Sequence, residues 1–525
     1  MRITVIGAGP AGLTAAYELL AGGPSGAPHS VTLIEEGDLF GGISRTEEYG
    51  GNRMDIGGHR FFSKDARVTG WWATMLSPQG MPSKDDLLLG RDRDLTPGGA
   101  DPEAEDGVML VRERFSRIYY KGKFFDYPVT LGFGTMRKMG LLTTLKAGFS
   151  YLKACVRKRP ERSLEDFYIN RFGKVLYAMF FKGYTRKLWG REPAGISAEW
   201  GAQRVKGLSV MAVVRDVVGK AFPRRRRAVE TSLIRRFHYP KYGPGQLWSA
   251  AADKVARLGG EIRMGVRAVR IVRGEGGEVT GVECSDGSTV GCDCLISSMP
   301  VKDLVGAMAE VPEDVARIAA GLPYRDFQTV GVLVRSGSFL LRGDGKAAAV
   351  GGMTPDCWIY VQDASVGMGR IQVFNNWSPY LLNDFVGEVW LGLEYFCDEG
   401  DAMWDMGDDE FIGMAASELV AIGALASKDD ILEAHRLRVR KAYPAYFGTY
   451  SEFGKVRAFL EGIGNLYCVG RNGQHRYNNM DHSMLTAFEA VDHIKGVSAD
   501  KGRVWEVNAE SEYHEGAKPP AKAGR

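Results

Sequence analysis

The stretch Ile3-Thr-Val-Ile-Gly-Ala-Gly-Pro-Ala-Gly12 constrains the fold more than any other part of the chain. A β-type apolar run meets Gly7, Gly9 and Gly12, and Leu13 to Leu20 reads as a helix. In that strand–turn–helix context the first glycine permits a tight turn. The second lets the backbone approach a pyrophosphate, and the third lets helix and strand pack closely. The helix N-terminus then offers free N–H groups and a positive dipole end to an anion. A second strand, Val31-Thr-Leu-Ile-Glu35, ends on an acid 23 residues after Gly12, placed for a ribose hydroxyl. Together these predict dinucleotide binding.

At 525 residues the chain exceeds a single core. With 67 basic and 64 acidic residues the net charge is +3, which argues against a polyanion partner or a membrane surface as the main business. The one dense basic run, Arg224-Arg-Arg-Arg227, reads as a solvated loop and gives no reason to expect nucleic-acid binding. No apolar run is long enough for a membrane span. Seven cysteines without C-x-x-C spacing suggest reduced thiols, and a chain opening directly on a Rossmann strand suggests a cytoplasmic protein. No metal site is expected.

Glycine recurs at Gly41-Gly42, Gly50-Gly51 and Gly57-Gly58, six in eighteen residues, as if the backbone repeatedly passes close to a bound group. Thr96 to Gly107, acidic and Pro/Gly-rich, reads as a mobile loop. From about 130 to 222 the pattern is mainly helical, and 238–300 returns to βαβ character. Short alternating runs between 327 and 396 predict an antiparallel sheet. Leu466-Tyr-Cys-Val-Gly470 and a helix from Met484 to Ile494 close the fold, and the tail beyond 508 is polar. The expected class is α/β, with a Rossmann-type domain split along the chain as 1–65, 238–300 and 466–500. A mainly helical insertion (66–237) and an antiparallel β-sheet substrate domain (301–465) interrupt it, and 501–525 is a polar tail.

Several motifs carry a family resemblance. Gly7-x-Gly9-x-x-Gly12, Glu35 and Gly41-Gly42-x-Ser44-Arg45-Thr46 resemble the two-part FAD fingerprint of the amine oxidase and protoporphyrinogen oxidase superfamily. Asp55-Ile-Gly57-Gly58-His59-Arg-Phe61-Phe62-Ser63 resembles the histidine loop of the UDP-galactopyranose mutases, the eukaryotic type most closely. So do Tyr184-Thr-Arg-Lys-Leu-Trp189-Gly, Trp200-Gly-Ala-Gln-Arg204-Val and Gly331-Val-Leu-Val-Arg335. Cys357-Trp358-Ile-Tyr360, Phe374-Asn-Asn376-Trp377-Ser378-Pro379-Tyr380 and Gly470-Arg471 through Tyr477 to Asn479-Met480-Asp481-His482-Ser483 complete the set. Lys64 departs from the histidine that the eukaryotic mutases carry there.

The resemblance implies an isomerase that interconverts the pyranose and furanose forms of a nucleotide-diphosphate hexose. Reduced FAD would act through a covalent flavin N5–sugar adduct, without net redox, after priming by an external reductant such as NAD(P)H. It implies FAD contacts at Gly7, Gly9, Gly12, Glu35, Gly42, Ser44, Arg45, Gly58, His59, Val266, Gly470, Arg471 and Asn479 to Ser483. His59 would also be catalytic, as a proton shuttle beside the flavin. Arg204 and Arg335 would grip the diphosphate through bidentate forks. Tyr443 and Tyr477 would hydrogen-bond it, with Trp189 and Asn376 in the pocket wall; Tyr443 and Trp189 read equally as core. Uracil and guanine both remain open as the base. The rival reading is an FAD-dependent oxidoreductase of the amine oxidase or protoporphyrinogen oxidase type. A flavin-binding module without activity finds no support.

Overall fold

A computed structural model describes residues 1–22, 29–127, 133–198, 236–343 and 349–508. The first strand, Arg2–Ile6, lies at the centre of a five-stranded parallel sheet. The strand order across it is Glu261–Arg263, Ser30–Ile34, Arg2–Ile6, Cys294–Ser297, Leu466–Cys468. The split Rossmann sheet expected from the sequence is therefore present. Because side chains alternate along a strand, Ile3 and Val5 face the helices Pro10–Leu20, Pro244–Arg257 and Met480–Ile494 in one core. Ile6, Ile34, Leu295 and Leu466 belong to a second core on the other face, with Val301, Leu304 and Ile318. Pro10 opens its helix at N1, where a missing N–H costs nothing.

The antiparallel sheet has seven strands in the order Ile431–Pro444, Tyr324–Arg335, Glu388–Cys397, Arg370–Val373, Trp358–Val361, Ser116–Tyr120, Lys123–Asp126. All its pairings are antiparallel except Trp358–Val361 with Ser116–Tyr120. The last two strands come from the stretch read as mainly helical. Ile118 pairs with Phe125 in one core and Tyr119 with Phe124 against another, and the Lys121-Gly122 turn, at positive φ in both residues, suits a hairpin. Helices Ala66–Met75, Leu141–Val156, Leu164–Tyr177 and Gly183–Trp189 do lie in that region. The 14-residue strand Ile431–Pro444 was not anticipated either; its frequent charges suit a sheet edge.

The segment Thr96 to Gly107, read as mobile, is bound to its neighbours instead. Thr96 N donates to Gln79 O and Ala100 N to Pro78 O, both at 2.9 Å, and Tyr380 Oη donates to Glu103.

Gly12 is required by contact. A Cβ there would lie 1.8 Å from Gly7 O and 3.3 Å from Val5 Cγ1. Gly12→Ala is expected to destabilise the protein by about 1–3 kcal/mol through overpacking. Gly413→Ala, in the Asp408–Ala421 helix with nothing within 4 Å, should stabilise it by about 0.5–1 kcal/mol. Opposite shifts in denaturation midpoint would confirm both; equal shifts would remove the strand–helix contact as the cause.

Candidate functional site

A cavity of about 1350 Å³ opens where the C-terminal ends of the parallel strands meet the antiparallel sheet. At one end Gly7 (φ +99°) turns the chain out of the first strand so that the Pro10–Leu20 helix aims its N-terminus into the space. Gly9 faces Gly42 across the lining, and Glu35, Ser44, Arg45, Val266 and Ser298 complete this end. The Glu35 carboxylate accepts from Ala8 N at 2.7 Å and Gly37 N at 2.8 Å. Gly470 (φ +80°) would bring a Cβ within 3.1 Å of Ala11, so the last strand also ends against the first helix. The Met480–Ile494 helix presents Asn479, Met480, Asp481 and Ser483 to the same cavity.

At the other end, Gly57 (φ +87°) and Gly58 carry the chain past Trp377 to His59. Burial first, then the nearby Arg471 charge, lower the His59 imidazole to about 4. It is therefore neutral at physiological pH.

Arg370, Arg471, Tyr443 and Tyr477 line the same end. The Arg471 guanidinium sits 3.9 Å from the Tyr477 ring centroid and 5.0 Å from that of Tyr443. Its Nη1 donates to Asn478 O at 3.3 Å, while its buried Nε and Nη2 have no hydrogen-bond partner among the described residues. Arg370 Nε donates to Tyr184 Oη at 2.8 Å and its Nη1 lies 3.1 Å from Glu394 Oε2. Burial opposes the Arg370 charge, and Glu394 followed by the tyrosines more than restores it. The Tyr443 hydroxyl is pushed up to about 12, chiefly by burial, so it remains a proton donor.

Such a surface suits a dinucleotide. It combines two helix N-termini, a glycine turn without side chains, an acid at a strand end and a volume above that of an ordinary small-ligand pocket. The unpartnered N–H groups of Arg471 call for an anionic acceptor. Residues 10–356 match the family model of the flavin-containing amine oxidoreductases. The chain belongs to this family. Its cofactor is FAD, and the protein is an enzyme of the FAD-dependent amine oxidase superfamily.

As a fold, this flavoprotein is similar to the crystal structure of reduced UDP-galactopyranose mutase, at TM-score 0.75 and 22% identity over 98% of this chain and 100% of that one. It is also similar to a triple mutant of putrescine oxidase, at TM-score 0.58 and 14% identity over 95% and 99%. Coproporphyrinogen III oxidase of Mycobacterium leprae (strain TN) is 42% identical over 64 residues, which span 12% of this chain and only 14% of that protein.

Of the residues singled out for FAD, all but Gly12 and His482 line the cavity. Gly12 lies behind the turn it allows, and His482 Nδ1 accepts from Asn479 N at 3.4 Å as the third residue of a capping box. Among the substrate residues, Tyr443 and Tyr477 are brought together with His59, their ring centroids 5.6 Å apart. Arg204 and Trp200 lie outside the described residues, as does the Arg224 to Arg227 run.

Three of the expected substrate residues are not among those lining the cavity, and for Trp189 this matches the core reading left open from the sequence. Arg335 is exposed at the end of its strand, opposite Glu388, and does not line the cavity. In the sheet, Arg370 pairs with Glu394 and Glu394 with Thr329, six residues before Arg335. Arg335 is thus about 20 Å along the strand from the Arg370 row. Asn376 Nδ2 donates to Thr354 O and Asp356 O at 2.9 and 2.8 Å, which fastens a turn, and Trp189 is buried in a core with Phe327 and Tyr443. Arg370 was passed over in the sequence as the start of an ordinary strand. Its signal is a lone arginine ahead of the run Ile371-Gln-Val-Phe374.

Asp55 closes the strand that leads into the His59 loop and accepts from Tyr239 Oη and, at 3.3 Å, Thr46 Oγ1. Burial raises its carboxyl to about 8, against the pull of those two donors. Between the ordinary carboxyl range and pH 8 the folded protein therefore holds a proton that the unfolded chain has released, so stability falls as pH rises through that window. Asp55→Asn is expected to reduce the drop in melting temperature between pH 5 and pH 8. An unchanged drop would place the titration elsewhere.

Proposed function

We propose that this enzyme is a flavin-dependent mutase that interconverts pyranose and furanose forms of a nucleotide-diphosphate hexose, without net redox. The observation carrying this reading is the pair of guanidiniums, Arg370 and Arg471, set among tyrosine hydroxyls beside the His59 loop. A diphosphate leaving group gathers negative charge and must be held until it returns, which fixed cationic forks do well. A protonated amine substrate would be repelled there. The fold likeness to reduced UDP-galactopyranose mutase over the length of both chains supports the same reading.

Bound in its reduced form, FAD supplies the nucleophile for displacement at the anomeric carbon. Arg370 is held from behind by Glu394 and Tyr184. Its remaining N–H groups would orient the diphosphate with those of Arg471, and Tyr443 and Tyr477 would add neutral donors. Arg204 keeps its proposed role as a further grip on the phosphates. His59, neutral in its wall, would relay a proton, accepting it at one ring nitrogen and donating at the other, so that the ring oxygen is protonated as the sugar ring opens. An external reductant primes the cycle, and the nucleobase is uracil or guanine.

A second reading, oxidation of a porphyrinogen, is favoured by the short match to coproporphyrinogen III oxidase, since guanidiniums also bind carboxylates. One assay separates the two. Dithionite-reduced protein should interconvert UDP-galactose or a GDP-hexose with its furanose form, followed by chromatography. Oxidised protein that converts a porphyrinogen or an amine with peroxide release, and does nothing to sugar nucleotides when reduced, would end the mutase reading.

Arg370→Lys keeps a cation beside Glu394 but loses the fork, so kcat/KM should fall by about 100-fold or more with flavin retained. Arg335→Ala should leave turnover unchanged. The reverse pattern would return the phosphate site to Arg335.

A further inference from the structure

The helix Leu141–Val156 turns the wrong face outward for a buried element. Ala147 and Ala154 are buried, and the partly buried Ser150 and Tyr151 lie so close to Gly173 of the next helix that a Cβ there would come 2.8 Å from Ser150 C. Leu141, Leu142, Leu145, Phe149, Leu152 and Val156 are between 53% and 89% exposed. At about 100° per residue they form one continuous apolar stripe. Lys146, Lys153 and Arg157 follow along one flank of that stripe.

Charge says what this stripe faces. Residues 133–160 contain Arg137, Lys138, Lys146, Lys153, Arg157, Lys158 and Arg159 and no acid, in a chain with 67 basic and 64 acidic residues overall. All seven are exposed; Arg159 lies 3.6 Å from Asp166, and the other six form no ion pair among the described residues. A second copy of the chain meeting this face with its own would bring like charges together. An anionic lipid surface matches both the apolar stripe and the basic flank, which is the pattern of a helix lying in a membrane interface. No helix of the described residues is long and apolar enough to cross a membrane, so the contact would be peripheral.

We propose that the Leu141–Val156 helix docks the enzyme on anionic lipid bilayers. The test uses the flavin-loaded full chain and sedimentation with vesicles of phosphatidylcholine alone or mixed with phosphatidylglycerol. Binding is expected only to the mixed vesicles and should weaken as salt rises. Lys146→Glu, Lys153→Glu and Arg157→Glu should each weaken it about fivefold or more. Phe149→Gln and, separately, Leu145→Gln should weaken it while melting temperature and flavin absorbance stay as in the parent. Protein that stays in the supernatant with mixed vesicles at low salt overturns the proposal, as do variants that bind like the parent or equal binding to both vesicle types. Self-association lost in Phe149→Gln, without vesicle binding, also overturns it and assigns the face to a second copy.

Discussion

The parallel pairing of Arg2–Ile6 between Ser30–Ile34 and Cys294–Ser297 is the constraint on which the rest depends. Two neighbours of one short strand come from opposite ends of a long excursion, so the intervening chain must leave the sheet and return in register. Where it returns, Gly7, Ser298 and Gly470 converge. A Cβ on Gly7 would lie 2.2 Å from Ser298 Oγ, and one on Gly470 3.7 Å from Ser298 Cβ. Ser298 N and Oγ both donate to Ile6 O at 2.9 Å. The ends of three parallel strands thus close on one point, and the cofactor cavity opens directly beyond it, as expected at the carboxyl ends of such strands.

The far wall depends on a different sheet and a different force. Glu394 is buried, with Gln372 Nε2 3.1 Å from one oxygen and Arg370 3.1 Å from the other. Burial pushes this carboxyl up, and Arg370 followed by Gln372 pulls it back. Removing either member would leave the other charged and buried, so the pair holds the guanidinium in one place. A cation fixed in that way needs little reorganisation when an anion arrives.

Much of the Rossmann end was legible because its signals are local. Gly7, Gly9, Gly12 and Glu35 stand at spacings set by one turn and one strand, and Val279–Cys284 begins and ends where its apolar alternation does. The glycines at 57 and 58 likewise announced a close passage, which Trp377 now accounts for at 3.1 Å from a Cβ on Gly58. Less legible was the Ser116–Asp126 hairpin. Its strands are short, and Ser116–Tyr120 is also held by a parallel contact with Trp358–Val361, more than 200 residues away. Nor did the near-neutral total charge disclose a 28-residue stretch with seven basic residues and no acid. A sum over the chain cancels what the fold keeps separate.

The different places of Arg370 and Arg335 relative to the cavity show where reading residues in order must fail. Both arginines terminate an apolar strand, one at its end and the other at its start. Local pattern cannot rank them. What separates them is register: Gly331 pairs with Gly392, which pairs with Gln372, and this fixes Arg370 in the row of Thr329 and Glu394. Arg335 falls in the row of Glu388, at the other end of the same sheet. A slip of two residues between Arg370–Val373 and Glu388–Cys397 would preserve every inward side chain and still take Arg370 out of line with Glu394. Close packing at Gly392, and at Gly331 in the neighbouring pairing, disfavours other registers. A Cβ on Gly331 would meet Trp390 at 2.6 Å, and one on Gly392 would meet Phe374 at 2.8 Å. The place of Arg370 beside Glu394 thus rests in part on a glycine that touches neither.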